Sequence, residues 1–202
     1  MAEKQPPLVL ASSSPRRNEL LRQAGYRFTV CPPPIEERAV TAVPSPGAHA
    51  ESLAYLKAMS AVQAHRLQDC LVLGADTIVV LNGQLFGKPA DAADARRILS
   101  ALSGSEHEVV TGLALVDLVT GLRHLAHAVT RIRMRKITPQ QIDAYVASGE
   151  ALGKAGAYAL QESGDRFVEH LDGSVSNVVG LPMELLERLL NASGYDPNDL
   201  RV

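Results

Sequence analysis

Several polar clusters in this 202-residue chain combine residue types suited to chemistry on an anion. The first is Ser12-Ser13-Ser14-Pro15-Arg16-Arg17, directly after the apolar run Leu8-Val9-Leu10. Ser14 can cap a helix that begins at Pro15, where a missing N–H does no harm. Hydroxyls, first-turn backbone N–H groups, the positive end of the helix dipole and the guanidinium groups of Arg16 and Arg17 then converge. Phosphate is the anion most often served by such a junction. The plainer reading is a capped helix with two solvated arginines.

The second cluster is Gly74-Ala75-Asp76-Thr77, where one carboxylate interrupts two strongly apolar runs, Leu71-Val72-Leu73 and Ile78-Val79-Val80-Leu81. Burying a bare aspartate costs too much, so Asp76 must face a cleft or be held by partners. It can serve as a general base or a metal ligand, or it can be a turn aspartate between strands. Lys88, in Gly87-Lys88-Pro89, can reach a phosphate as a point charge or remain a solvated loop lysine. Glu36-Glu37, after the run Cys31-Pro32-Pro33-Pro34, offers paired carboxylates for Mg²⁺ or proton transfer, unless both are simply solvated. Lys57 lies one turn beyond Leu53, close to the apolar face of a long helix, a border from which lysines often snorkel.

Other chemistries find little support. His124 and His127 are three apart on a predicted strand, which turns them to opposite faces and discourages a zinc site. His107-Glu108-Val109-Val110-Thr111 lacks the second histidine of a zinc protease helix. The chain has no GxSxG elbow and no Walker loop. Neither Cys31 nor Cys70 has a base near it in sequence or forms a CxxC motif. Arg131, Arg133 and Arg135 share one strand face and read as solvated.

The elements that must position these groups alternate between strand and helix. The strand at 8–10 leads to a helix from Pro15 with Leu20, Leu21 and Ala24 inward and Gly25 at its end. Phe28-Thr29-Val30 is a short strand, and 44–66 is a long helix carrying Leu53, Leu56 and Val62. Asn82-Gly83 is a strong hairpin signal after the apolar runs around Asp76. Asp91 caps a helix with Ile98, Leu99 and Leu102 inside, ending near Gly104. Residues 107–119 and 123–135 read as strands about a turn at Thr120-Gly121, and Thr138-Pro139-Gln140-Gln141 is a capping box for a helix ending at Gly149. The segment 150–181 is glycine-rich and weakly periodic. From Pro182 a final helix buries Leu186, Leu189 and Leu190 and stops at Gly194. The pattern predicts an α/β class with a mixed sheet, because hairpins accompany the strand–helix units.

Twenty Lys+Arg against 22 Asp+Glu give a net charge of −2, with none of the basic excess of a general nucleic-acid binder. Hydrophobic residues make up 46%, no apolar run reaches the ~18 residues of a membrane span, and the N-terminal apolar stretch is too short for a secretory signal. A cytoplasmic globular protein, one domain over 1–202, is the expectation.

In order along the chain stand Leu10-Ala11-Ser12-x-Ser14-Pro15-Arg16-Arg17, Ile35-Glu36-Glu37, Gly74-Ala75-Asp76-Thr77, Gly87-Lys88-Pro89, Lys154-Ala155-Gly156-Ala157-Tyr158-x-x-Gln161 and Asn177-Val178-Val179-Gly180-Leu181-Pro182. Six ordered motifs over nearly the whole chain resemble the Maf family of nucleoside triphosphate pyrophosphatases. The resemblance implies an elongated mixed sheet flanked by helices in two lobes with a central cleft, similar to the inosine triphosphate pyrophosphatases, and usually a homodimer. It implies hydrolysis of a nucleoside triphosphate to monophosphate and pyrophosphate, helped by a divalent cation such as Mg²⁺, Mn²⁺ or Co²⁺. Ala75-Asp76-Thr77 with Gln161 is similar to the branch acting on dTTP and UTP. By motif position, Asp76 is the proton acceptor, Glu37, Lys57 and Lys88 complete the catalytic group, Ser12 and Arg16 contact the nucleotide, and Arg16, Thr77 and Gln161 are specificity positions. The expected mechanism has Asp76 take the proton of the attacking water or hold a metal that lowers its pKa, with Glu37 sharing that metal, and Ser14 and Arg17 of the same cluster join Ser12 and Arg16 as substrate-binding candidates. The chain departs from the family pattern at Glu162, where glycine is usual, and at Tyr55-Leu56, where an Arg-Glu pair is common. The competing class is a regulatory nucleotide-binding protein of cell division without useful turnover. The carboxylate among the phosphate ligands favours the enzyme, since binding alone does not require one.

Overall fold

The computed structural model describes residues 5–35, 45–160 and 163–202. In chain order it contains β1 (Leu8–Ala11), α1 (Pro15–Gln23), β2 (Phe28–Val30), α2 (Pro46–His65), β3 (Leu71–Leu81), β4 (Gln84–Phe86), α3 (Ala92–Leu102), β5 (Glu106–Asp117), β6 (Arg123–Met134), α4 (Pro139–Ala147), β7 (Val168–Asp172), α5 (Val175–Val179) and α6 (Met183–Ala192). The strands form a seven-stranded sheet in the order β2-β1-β3-β5-β6-β7, with β4 paired to β3. β1 runs parallel to β2 and β3, whereas β3–β4 and β6–β7 are antiparallel, so the sheet is mixed as expected.

The chain divides into two compact units, each assembled from separated stretches of sequence. The first comprises residues 1–76, 111–128 and 180–202; the second comprises 77–110 and 129–179. The chain therefore changes unit within β3, directly after Asp76.

In the first unit, strand alternation sorts the core into two layers. Leu8, Leu10, Leu71, Leu73 and Ala75 pack with Leu21 of α1 and with Leu185, Leu186, Leu189 and Leu190 of α6. Val9, Ala11 and Val72 point the other way, against Ala58 and Ala61 of α2. The buried stripe of α2 is Ala50, Leu53, Ala54, Lys57, Ala58 and Ala61, at helical spacing. This corrects the expected stripe, because Leu56 is 48% exposed. The reason lies in the sheet. A Cβ added at Gly74 would be driven onto the carbonyl oxygen of Ala54, and one at Gly112 onto the peptide joining Ala50 and Glu51. The α2 backbone lies directly on the strands, which only small side chains on both sides permit.

The second unit packs Ile98, Leu99 and Leu102 of α3 with Ile142, Tyr145 and Val146 of α4 and with Val79, Phe86, Ile132 and Phe167. Asp91 accepts a 2.8 Å bond from the Asp94 N–H at the head of α3, and Thr138 and Gln141 form the reciprocal capping box of α4. Asn82 and Gly83 both have positive φ, 51° and 78°, the twist that a two-residue hairpin between β3 and β4 requires. The weakly periodic segment 150–181 includes β7 and α5, both with little sequence signal, beside two short 3-10 turns at Ala155–Ala157 and Ser163–Phe167. β7 is short and pairs with β6; α5 is a single turn and a half.

Candidate active site

Within the first unit, the register of β1 on β3 pairs Ala11 with Gly74, so Ser12 leaves β1 level with Ala75 and Asp76. This is the carboxyl end of a parallel strand followed by a helix start, the usual location of a site in α/β sheets. Ala75 belongs to the α1–α6 layer. Asp76, one residue on, faces α2 together with Val72 and Gly74. Gly74 brings Ala54 of α2 against the strand, and Lys57 lies one turn beyond Ala54. Lys57 Nζ donates to Asp76 Oδ1 at 2.5 Å, with the two residues 7% and 4% exposed. The carboxylate that the sequence required to be held is held by the lysine that the sequence placed at the apolar border.

Around the start of α1 the structure separates the two arginines. Arg16 is half-buried and makes no ion pair with a described residue. Arg17, one residue on and therefore about 100° around the helix, is buried. Its Nε donates to Gly180 O at 2.7 Å, and its Nη1 donates to Ala75 O at 2.9 Å and to Ser12 Oγ at 3.2 Å. Ser14 is the N-cap residue, but its side chain makes no capping bond; instead its N–H donates to Ser12 Oγ at 3.2 Å. The expected Ser14 cap is thus replaced by a loop held on Ser12. The inward role of Arg17 escaped the sequence reading, since tandem arginines carry no local signal of which one turns in.

Thr77 and Lys88 fall in the second unit, Thr77 half-buried on β3 and Lys88 exposed after β4. The turn at Ala155–Ala157 lies beside the Lys88 loop, where Gly156 N–H donates to Gly87 O at 3.1 Å. Tyr158 follows that turn and its hydroxyl lies 2.8 Å from His107 Nε2. Burial pushes the His107 imidazole down to about 4 and raises the Tyr158 phenol, so His107 is neutral near pH 7. Asn177 donates to Val109 O at 3.0 Å and Thr130 Oγ1 at 2.9 Å, a structural role for the head of its motif. Glu36, Glu37, Gln161 and Glu162 lie outside the described residues.

No group of three or more His, Cys, Asp or Glu side chains suited to a metal is found among the described residues. Asp76 nonetheless fits a hard divalent cation. Lys57 occupies Oδ1, and no described residue bonds Oδ2. Mg²⁺ commonly takes one or two carboxylates together with substrate phosphates. Arg131 and Arg133, on an exposed face as expected, pair with Glu108 and Glu106. No helix among the described residues is long and apolar enough to cross a membrane.

Comparison with known proteins agrees with the motif pattern. The profile of a family described as Maf-like protein matches residues 7–193. A dTTP/UTP pyrophosphatase of Moorella thermoacetica is 48% identical over 189 residues, 94% of this chain and 96% of that protein. Another of the same description, from Gloeobacter violaceus, is 48% identical over 183 residues, covering 91% and 94%. Among solved structures, the Staphylococcus aureus Ham1 protein superposes with a TM-score of 0.52 at 14% identity, over 93% of this chain and 99% of that one, a likeness of fold.

Proposed function

The chain belongs to the Maf-like protein family, and from that premise we propose that it hydrolyses dTTP and UTP to the nucleoside monophosphate and pyrophosphate. The observation that carries the reading is the buried Lys57–Asp76 pair, level with Ser12 where β1 ends. Nucleotide retention alone needs no carboxylate beside the phosphate ligands.

In this reading water attacks the α-phosphorus, the bond from that phosphorus to the α–β bridging oxygen breaks, and pyrophosphate departs. Asp76 takes the proton of the attacking water. Lys57 supports it by fixing the carboxylate through Oδ1, which leaves Oδ2 to meet the water. Ser12, Ser14 and Arg16 bind the triphosphate at the start of α1, and Lys88 neutralises charge on the leaving pyrophosphate. Alternatively Asp76 Oδ2, together with Glu37, would hold a divalent cation, Mg²⁺, Mn²⁺ or Co²⁺, which when bound would polarise the phosphate oxygens and lower the pKa of the attacking water. Thr77, Gln161 and Arg16 select the base. Residues 1–202 act as one Maf-like domain; the return of the chain from each unit to the other supports this, since neither is a continuous stretch. A cytoplasmic homodimer that acts on free nucleotides rather than on nucleic acid completes the proposal.

The test is a panel of triphosphates incubated with purified protein and Mg²⁺ or Mn²⁺, with products resolved by ³¹P NMR. UTP and dTTP should give monophosphate plus pyrophosphate, ahead of CTP and purines, and EDTA should abolish turnover. Orthophosphate plus diphosphate would refute the reaction class, and full activity in EDTA would refute the cation.

A further inference from the structure

Arg17 is charged, adjacent to Arg16 and part of the serine–arginine motif, so its sequence context assigns it to the phosphates. Its geometry does not. The residue is 8% exposed, and its Nε and Nη1 are directed within the first unit, onto two main-chain carbonyls and one hydroxyl. We propose that Arg17 is a positioning residue of the hydrolytic site, aligning Asp76 and Ser12 through hydrogen bonds to Ala75 O and Ser12 Oγ while anchored on Gly180 O. The proposal rests on the pyrophosphatase reading given above.

Two consequences follow from the bond geometry. The Nη1 bond at Ala75 O fixes the plane of the peptide linking Ala75 to Asp76, because the peptide is rigid. The direction in which the Asp76 side chain leaves the strand is thereby set from the face opposite Lys57. At Ser12, Arg17 Nη1 and Ser14 N–H together occupy the two acceptor positions of the hydroxyl oxygen. What remains for a ligand is the O–H proton, so Ser12 is presented to an anion as a donor. A lysine cannot reproduce this. It carries the charge, but an ammonium on a flexible stem lacks the planar fork that spans separate acceptors on three segments. The arrangement also gives Gly180 its place in the motif set, since its contribution is a carbonyl oxygen at 2.7 Å from Nε rather than a side chain.

Positioning and phosphate contact make opposite demands on the kinetic parameters. Loss of a phosphate contact weakens nucleotide binding, and a lysine restores much of it. Loss of alignment lowers kcat while the nucleotide still binds, and a lysine restores little. The experiment compares Arg17→Lys, Arg17→Ala and Arg16→Ala with the unaltered protein. It reads kcat and KM for UTP, the Kd of α,β-imido-UTP by calorimetry, and thermal unfolding by far-UV circular dichroism. For Arg17→Lys we expect kcat to fall at least 30-fold with the analogue's Kd within about threefold of the unaltered protein; Arg16→Ala should raise KM and Kd together. Arg17→Lys also serves if Arg17→Ala fails to fold, because it keeps the charge and most of the volume. Recovery of full kcat by Arg17→Lys, or a Kd that weakens in step with kcat, would overturn the positioning role. Unaltered protein that folds yet releases no pyrophosphate would overturn the functional reading instead, so the two failures are distinguishable.

Discussion

Replacing Lys57 by methionine removes the ammonium from a buried ion pair while keeping most of the side-chain volume. The pair is 2.5 Å long and both partners are more than nine-tenths buried, so the change leaves an uncompensated carboxylate in the layer between α2 and β3. At that separation and an effective dielectric of about 20, Coulomb's law gives a gross attraction of roughly 7 kcal/mol, most of it offset by the desolvation of both ions. What a single substitution exposes is the offset rather than the net: a loss of about 3–5 kcal/mol for Lys57→Met. The double variant Lys57→Met with Asp76→Leu removes both charges and should come back to within about 1–2 kcal/mol of the parent, since an apolar pair of similar volume meets the same alanine face. Urea unfolding followed by far-UV circular dichroism reads this directly, as the chain has no tryptophan. A loss of 3 kcal/mol moves the midpoint by roughly 1 M or more. Lys57→Met costing under about 1 kcal/mol, or a double variant no better than the single one, would show that the two charges are not energetically coupled, and the account of Asp76 as a held base would fall with it.

Asp76→Asn keeps shape but removes basicity, so kcat should fall by about 10²–10⁴ with the imido analogue still bound; near-normal turnover would remove Asp76 from proton transfer. Gln161→Ala should collapse the UTP:CTP ratio of kcat/KM, because an amide can match the uracil edge while cytosine leaves a group unpaired at about 1–3 kcal/mol; a preserved ratio would make Gln161 structural. His107 titrates at about 4 in the folded protein against 6.5 in its ordinary state, so the unfolded chain takes up the proton first as pH falls. Its contribution is complete above about pH 6.5 and is lost as pH drops toward 4, by up to about 3 kcal/mol. The difference in urea midpoint between the parent and His107→Gln should therefore change across that window, and a constant difference would refute burial as the cause.

Much of this architecture was legible because caps and spacing carry it. Asp91, the Thr138–Gln141 box, Asn82-Gly83 and the leucines of α6 each appear in the structure in the role their sequence context predicts. α2 was legible as a helix but not in its orientation. Its buried face is alanine, chosen by the close approach of strand glycines at 74 and 112, which no local hydrophobic pattern displays. β7 left little trace because a short strand with mostly polar, exposed residues has no inward stripe to read. In the site, Asp76 and Lys57 were each conspicuous as polar residues in apolar settings, whereas their pairing depends on how α2 lies across β3. The difference between Arg16 and Arg17 is a matter of helical phase. It becomes visible only once Gly180, far away in sequence, is in place.

That dependence on Gly180 sets an order of events during synthesis. Every side chain assigned to the chemistry lies at or before residue 161, yet the carbonyl that anchors Arg17 and the leucines of α6 that cover β1 and β3 come from residues 180–202. Closing the first unit also requires that the intervening stretches 77–110 and 129–179 be looped out, an entropic cost met only when those late contacts form. A chain made only as far as residue 179 lacks the carbonyl on which Arg17 Nε is anchored and the α6 leucines that cover β1 and β3. The α1–α6 layer of the first unit therefore forms only after the sequence of the whole second unit has been made.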